Sequence, residues 1–159
     1  MATPQFGDSQ PGTLYPDRPA AFGIAVQDGR IALVRVEKEG RTWLDLPGGA
    51  IDPGEDERAA VIREFGEETG LAVEAGSPFA RADQFFFNTD GQPFNNRAGF
   101  WTIAGHRPAP ELKIEYDHTL VWTHPHDALA SLRHDAHAWA VAAWLRLGGQ
   151  EVAGRPHRR

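Results

Sequence analysis

The alternation of apolar and polar residues in the first third of the chain predicts paired β-strands. Residues 20–27 are apolar enough for a buried strand, and residues 30–37 alternate well enough to be its antiparallel partner. An Asp-Gly pair between these two segments favours a two-residue hairpin turn. A third short strand is predicted at 42–46. It runs into the sequence Pro-Gly-Gly at 47–49, where we expect regular strand pairing to end.

The pattern becomes helical at residues 55–69. An Asp-Pro-Gly sequence interrupts the chain just before this segment, and Gly70 occupies the position typical of a glycine that ends a helix. A long loop is predicted at 107–117. Further strands are predicted at 71–75, 79–88, 97–106 and 118–124, and further helices at 125–132 and 134–147. One helix inserted among strands, with the others at the end, favours an α+β fold with a mixed sheet.

The length of 159 residues predicts one domain. Residues 1–19 contain four prolines and are expected to form an irregular N-terminal arm. The domain itself is placed at 20–147, and residues 148–159 are expected to form a basic, flexible tail.

Charge and composition exclude several classes of function. Sixteen basic against 22 acidic residues give a net charge of −6, which argues against binding to duplex nucleic acid or to an anionic membrane. The chain contains no cysteine, which removes disulfides, thiolate zinc sites and cysteine nucleophiles. It shows neither a signal-peptide pattern nor an apolar run of about 20 residues. We therefore expect a cytoplasmic protein that does not enter a membrane.

Three glutamates share one face of the predicted helix at 55–69. At 100° per residue, Glu64, Glu67 and Glu68 fall within an arc of about 100°. Like charges at this spacing repel one another, and we expect a divalent cation between them to compensate. Carboxylate oxygens on a rigid element suit Mg²⁺ or Mn²⁺. The neighbouring arc of the helix is expected to face the core: Val61, Ile62, Phe65 and Thr69.

Residues 49–71, GAIDPGEDERAAVIREFGEETGL, resemble the Nudix box. The box reads Gly, five residues, Glu, seven residues and then Arg-Glu-U-x-Glu-Glu-x-Gly-U, where U is a bulky apolar residue. Every specified position is filled, by Gly49, Glu55, Arg63, Glu64, Phe65, Glu67, Glu68, Gly70 and Leu71. Phe65 is a less usual choice at its position. The resemblance is specific, although the box covers 23 of the 159 residues.

The resemblance implies an α/β/α sandwich around a mixed sheet, with the box as a loop-helix-loop motif. The implied activity is hydrolysis of a pyrophosphate linkage in a nucleoside diphosphate derivative. Water would attack phosphorus with the help of Mg²⁺ or Mn²⁺. Carried over by position, Glu64, Glu67 and Glu68 are implied to be catalytic metal ligands, and the main-chain carbonyl of Gly49 is implied to complete the metal site.

The remaining box positions are implied to have supporting roles. Glu55 and Arg63 look like the pair that orients the helix and its glutamates. Gly48, adjacent to the box, lets a phosphate approach the main chain closely. In several members of the family a loop outside the box supplies the general base or a further metal ligand. Glu115 is our first candidate for that role here, and Asp117 is the second.

The resemblance implies a small nucleotide as substrate, and the sequence leaves its identity open. The sequence signatures of the dinucleoside polyphosphate, ADP-ribose and coenzyme A subfamilies are not evident. We therefore expect a (d)NTP pyrophosphatase as the first candidate. An ADP-ribose or nucleotide-sugar pyrophosphatase is the alternative. A non-catalytic nucleotide sensor on the same scaffold is the alternative from another class. A homodimer is common in the family, and the N-terminal arm has the length to reach across such an interface.

Histidines, aromatic residues and asparagines outside the box could bind a metal or a base, but each also has an ordinary structural explanation. His124 and His126, and His134 and His137, are spaced like zinc ligands, but we expect surface histidines because no cysteine accompanies them. Phenylalanines at 85–87 could stack on a base, although alternation along a strand buries at least half of such residues. In the same way, the Asn95-Asn96 pair could recognise a base edge, and Asp135 could bond to a base. Turn formation is the commoner role of asparagine.

Overall fold

The computed structural model describes residues 2–149, which form nine strands and three helices within that range. The strands are β1 (Gln5–Phe6), β2 (Asp17–Ile24), β3 (Val26–Gln27), β4 (Arg30–Lys38), β5 (Arg41–Asp45), β6 (Gly48–Ala50), β7 (Leu71–Phe87), β8 (Pro93–Pro108) and β9 (His118–Thr123). The helices are α1 (Glu57–Thr69), α2 (Pro125–Ser131) and α3 (Asp135–Arg146), and Pro110–Leu112 forms a single 3-10 turn.

The strands make two sheets. The larger sheet has the order β1-β7-β8-β2-β6, and it is mixed because β1 runs parallel to β7 and β2 runs parallel to β8. In the smaller sheet, β4 pairs antiparallel with β3, β5 and β9.

Helices cover the sheets on both sides. On one side, Val61 and Phe65 of α1 pack against small residues of β2 and its neighbours. On the other side, Val141 and Trp144 of α3 pack against a second buried cluster that includes Phe22. The predicted α+β class and the predicted α/β/α sandwich around a mixed sheet are therefore confirmed.

Local signals explain where α1 begins and ends. The side chain of Asp56 accepts a hydrogen bond from the amide of Ala59 at 2.8 Å, which caps the first turn. Gly70 adopts a left-handed conformation with φ of 71°, and its amide donates to the carbonyl of Gly66. The helix begins two residues later than predicted, because Glu55 belongs to the preceding turn and bonds to the amide of Asp52.

Two predictions about the strands were wrong. Pairing does not end at the Pro-Gly-Gly sequence, because Gly48 and Gly49 belong to β6, which pairs antiparallel with β2. The segments at 71–75 and 79–88 form one long strand, β7, in which the register against β8 shifts between Glu74 and Ala80. A β-bulge absorbs the Gly-Ser-Pro sequence that the pattern treated as a break.

The N-terminal arm is more ordered than predicted. Its residues Gln5 and Phe6 pair with β7, the ring of Phe6 lies 6.0 Å from that of Trp139, and β2 already begins at Asp17. The arm therefore covers an edge of its own sheet. Residues 150–159 of the expected basic tail lie outside the described part of the chain. Between residues 2 and 149, no helix combines the length and the apolar character needed to span a bilayer.

Candidate functional site

The site forms where β6 meets α1. Gly48 has φ of +146°, and a Cβ there would lie 2.2 Å from the carbonyl oxygen of Ala21, so this position needs glycine. Its amide donates a 2.8 Å hydrogen bond to Oε1 of Glu68. A Cβ on the next residue, Gly49, would lie 2.8 Å from Oε1 of Glu64. Gly48 thus lets β6 lie close to β2, and Gly49 lets the main chain of β6 approach Glu64 of α1.

Arg63 lies among the carboxylates of the site. Its Nε and Nη2 donate to the two oxygens of Glu55 at 2.8 and 2.9 Å. Its Nη1 donates to Glu64 at 3.1 Å and to Glu67 at 3.0 Å, and Nη2 also reaches the carbonyl of Ala50. The bonds to Glu55 are the main cause that raises the pKa of Arg63 above its usual value. One guanidinium therefore fixes three carboxylates and the last residue of β6.

Glu68 is set apart from the other two glutamates by its burial. Its side chain is 8% exposed, against 16% for Glu64 and 25% for Glu67. Its Oε2 lies 3.1 Å from Nε2 of His118, and Nδ1 of His118 lies 2.7 Å from Asp117. The three side chains form a continuous chain of polar contacts from α1 to the start of β9.

Among Glu68, His118 and Asp117, the surroundings favour protonation of His118. Burial raises the pKa of Glu68 to about 7. Burial also opposes the charging of His118, but its contacts with Glu68 and Asp117 outweigh this and raise its pKa to about 9. The contacts with Glu68 and Asp117 thus favour the protonated form of His118.

The loop at 113–117 is anchored to the end of α1. The amides of Ile114 and Glu115 both donate to the carbonyl of Glu67 at 3.0 Å. The ammonium of Lys113 donates to the carbonyls of Glu68, Glu115 and His118. These bonds satisfy carbonyls at the C-terminal end of the helix and hold Glu115 beside it.

A cavity of about 250 Å³ opens at this point. Gly48, Gly49, Glu68 and Glu115 line it on the acidic side, together with Asp117 and His118. Its other lining comes from the strands, from the turn between β7 and β8, and from the region where α3 begins: Arg18, Phe22, Val36, Lys38, Trp43, Asp45, Phe86, Asn88, Thr89, Asn96, Arg133, His134 and His137.

The structure brings the predicted site residues together but corrects some details. Ile62 was expected to face the core, yet it is 39% exposed, whereas Glu68 is buried. His134 and His137 were expected at the surface and are buried. His118 was not predicted from the sequence. It directly follows Asp117, at the end of the loop that was expected to supply a ligand or base, and this position could have indicated it.

The donor set suits a divalent cation. Three carboxylates and the main chain of Gly49 offer only hard oxygen ligands, which Mg²⁺ and Mn²⁺ prefer. Any side chain at residue 49 would occupy the space next to the carboxylate of Glu64, and glycine leaves this space open. Glu115, Asp117 and His118 form a second group, with ligand atoms within 4.8 Å of one another.

Comparison with known proteins identifies relatives. A curated protein named RNA pyrophosphohydrolase, from Sphingopyxis alaskensis, is 39% identical over 74 residues, which make up 45% of this chain and 46% of that protein. The match thus spans about half the length of this relative.

Solved structures resemble the chain over more of its length. The ORF135 protein of E. coli is 24% identical with a TM-score of 0.65, covering 92% of this chain and 100% of that one. The MutT NUDIX hydrolase of Burkholderia pseudomallei is 27% identical with a TM-score of 0.59, covering 80% and 97%. The family model described as the NUDIX domain matches residues 17–145, most of the chain. The protein therefore belongs to the NUDIX domain family.

Proposed function

We propose that this chain hydrolyses the pyrophosphate linkage of a nucleotide, with a nucleoside triphosphate as the first expected substrate. The observation that carries the proposal is the approach of the α1 glutamates to the main chain of β6. Glu68 accepts from the amide of Gly48, and Glu64 lies where a Cβ on Gly49 would come within 2.8 Å of it. Arg63 holds Glu67 beside Glu64, and Gly48, Gly49 and Glu68 line the neighbouring cavity. Family membership and the name of the Sphingopyxis relative, an RNA pyrophosphohydrolase, agree with it.

The proposed cofactor is Mg²⁺, or Mn²⁺, held by the three glutamates and the carbonyl of Gly49. Such an ion neutralises negative charge on the pyrophosphate and lowers the pKa of a nearby water molecule. Arg63 holds Glu64 and Glu67 next to each other, and Glu55 in turn holds Arg63. Positioning residues of this kind reduce the cost of ordering the site when substrate binds.

Glu115 is the proposed general base. It lines the cavity, and the bond from its amide to Glu67 holds it next to the glutamates of α1. In that position its carboxylate would accept the proton released when water attacks phosphorus. Asp117 is the weaker candidate because its carboxylate already contacts His118 at 2.7 Å.

The first test is turnover of a substrate panel with and without Mg²⁺. The panel contains the four NTPs and dNTPs, 8-oxo-dGTP, ADP-ribose and a nucleotide sugar, with products identified by chromatography. We expect a nucleoside monophosphate and pyrophosphate from an NTP, loss of turnover in EDTA, and recovery when Mg²⁺ or Mn²⁺ is restored. Cleavage of ADP-ribose alone would replace the proposed substrate with the alternative.

The second test is the variant Glu67→Gln, which keeps the shape of the side chain but removes its charge. We expect kcat to fall at least about a hundredfold while the fold, followed by circular dichroism, is retained. Glu74→Gln serves as the matched control because Glu74 is exposed on β7, outside the site.

Nucleotide binding without any turnover by the unmodified protein would instead identify a non-catalytic nucleotide sensor.

A further inference from the structure

One part of the cavity is not used by the proposed hydrolysis. Arg18 on β2 and Asn96 on β8 are register partners, and both side chains line the cavity. Phe86 of β7 and His134 at the start of α3 line it beside them. We call these four residues the inner cluster. It lies on the sheet face that α3 covers, whereas the apolar side of α1 covers the opposite face.

Arg18 is a cation without a carboxylate partner among residues 2–149. Its guanidinium lies 5.6 Å from the ring centre of Phe86 and 5.7 Å from that of Phe94. Its one hydrogen bond within the described chain runs from Nη1 to Oδ1 of Asn96 at 3.3 Å. Burial is the main influence on its pKa, which is lowered, and the nearby Glu64 only partly offsets this. A guanidinium has five N–H donors, so most of those on Arg18 are left for a ligand.

The neighbouring side chains add further donors. Asn96 is 5% exposed, and because its Oδ1 accepts from Arg18, its Nδ2 faces elsewhere as a donor. His137, which also lines the cavity, accepts a bond from the amide of Leu46 at Nδ1, so its Nε2 carries the proton. His134 stays neutral because burial lowers its pKa to about 3. Asn96 and His137 therefore add N–H donors to those that Arg18 offers in the cavity lining.

Aromatic faces complete the inner cluster. The ring of Phe86 lies 5.3 Å from that of His134 in an edge-to-face arrangement, and Phe86 is only partly buried. A flat ligand can stack on such a surface, because base-aromatic stacking contributes about 1–3 kcal/mol for each base. The guanidinium of Arg18 lies over the rings of Phe86 and Phe94. Its planar set of N–H donors matches two adjacent acceptors in one plane.

We infer that the inner cluster binds the nucleobase of the substrate, and that Arg18 selects bases whose edge presents two adjacent hydrogen-bond acceptors. Guanine offers O6 and N7, and cytosine offers O2 and N3. Adenine places the N6 amino donor next to N7, which a donor-only guanidinium rejects. Uracil places an N–H between its two carbonyls. This inference rests on the proposed function, because it names the class of nucleotide that the site accepts.

The experiment measures binding rather than turnover. Isothermal titration in the absence of divalent metal compares GMP, 7-deaza-GMP, CMP, UMP and AMP on the full chain. We expect GMP or CMP to bind at least about tenfold more tightly than AMP and UMP. Weaker binding of 7-deaza-GMP than of GMP identifies the O6 and N7 edge of guanine. Tight binding of CMP alone identifies the pyrimidine edge.

Variants of Arg18 separate the effect of its planar set of N–H donors from the effect of its charge. We expect Arg18→Gln to remove the preference over AMP. Arg18→Lys should not restore it, because an ammonium cannot bond to two acceptors in one plane. Arg30→Gln, which changes an exposed arginine at the start of β4, is the matched control and should keep the preference. Thermal melting of each variant reports its folding.

Three results would overturn the inference. AMP binding as tightly as both GMP and CMP to the unmodified protein excludes selection by Arg18. An equal loss of affinity for all five nucleotides in Arg18→Gln would place Arg18 on the shared phosphate or ribose. No binding of any monophosphate would exclude a base site. Each outcome is obtained without hydrolysis, so it stands apart from failure of the proposed activity, which the turnover panel detects.

Discussion

Arg63 lies among carboxylates that would otherwise repel one another. Like charges one helical turn apart destabilise a helix by a few tenths of a kcal/mol for each pair. The bonds from Arg63 to Glu64 and Glu67 offset this repulsion within the folded chain. From the sequence we expect a divalent cation to compensate the repulsion, whereas in the folded chain Arg63 compensates part of it. A metal ion would therefore enter a cluster that is already ordered.

Gly49 provides a test of the metal site at the scale of one residue. In Gly49→Ala, the new Cβ would lie 2.8 Å from Oε1 of Glu64, at the flexible end of that side chain. We expect the carboxylate to move, so the Mg²⁺ concentration for half-maximal activity should rise about tenfold while the melting temperature changes little.

The control for this substitution is Gly105→Ala, where the nearest atom is 3.6 Å from the new Cβ and no displacement is needed. An unchanged Mg²⁺ dependence in Gly49→Ala would contradict the assignment of Gly49 and Glu64 to the metal site.

At the scale of elements, α1 is fixed at both ends by contacts that differ in kind. Its first turn is closed by the side chain of Asp56 within the same segment. Its last turn receives amides from the loop at 113–117, far away in sequence. The position of the three glutamates thus depends on a local cap at one end and on a tertiary contact at the other.

Asp56 allows the local cap to be tested. Asp56→Ala removes the acceptor for the amide of Ala59, and we expect the free energy of unfolding to fall by about 1 kcal/mol. Urea denaturation measures the change. Asp56→Asn keeps an acceptor and should preserve most of the stability. Equal losses in both variants would show that the charge, rather than the cap, stabilises α1.

At the scale of the whole molecule, the cavity joins residues from both sheets and from α3. Its walls include His137, which is 2% exposed and whose pKa is lowered well below its usual value, mainly by burial. In the unfolded chain this group takes up a proton near pH 6.5. Below that pH the unfolded state binds a proton that the folded state excludes, so this residue reduces stability as the pH falls.

The His137→Gln variant isolates this effect because glutamine does not titrate. We expect the free energy of unfolding of the unmodified protein, relative to that of the variant, to fall between pH 7 and pH 5. The slope should approach about 1.4 kcal/mol per pH unit at most. Urea denaturation at a series of pH values measures it. His126→Gln, at an exposed histidine, should show no such difference. Parallel curves for His137→Gln and the unmodified protein would contradict a neutral His137.

The sequence by itself determined the features that local patterns encode. The period of apolar residues and the glycine at position 70 located α1 to within two residues, and the same period placed Glu64, Glu67 and Glu68 on one face. The order of elements predicted the fold class. These features depend on neighbours within one segment, and such neighbours are visible in the sequence.

Only the tertiary structure decided which of these residues are buried and what they contact. Glu68 meets the amide of Gly48 and the ring of His118 because three separate segments converge on it. Arg18 meets Asn96 through a parallel pairing of strands that no short-range pattern specifies. Burial and ionisation depend on groups that pack from distant parts of the chain, and periodicity along one element carries no information about them.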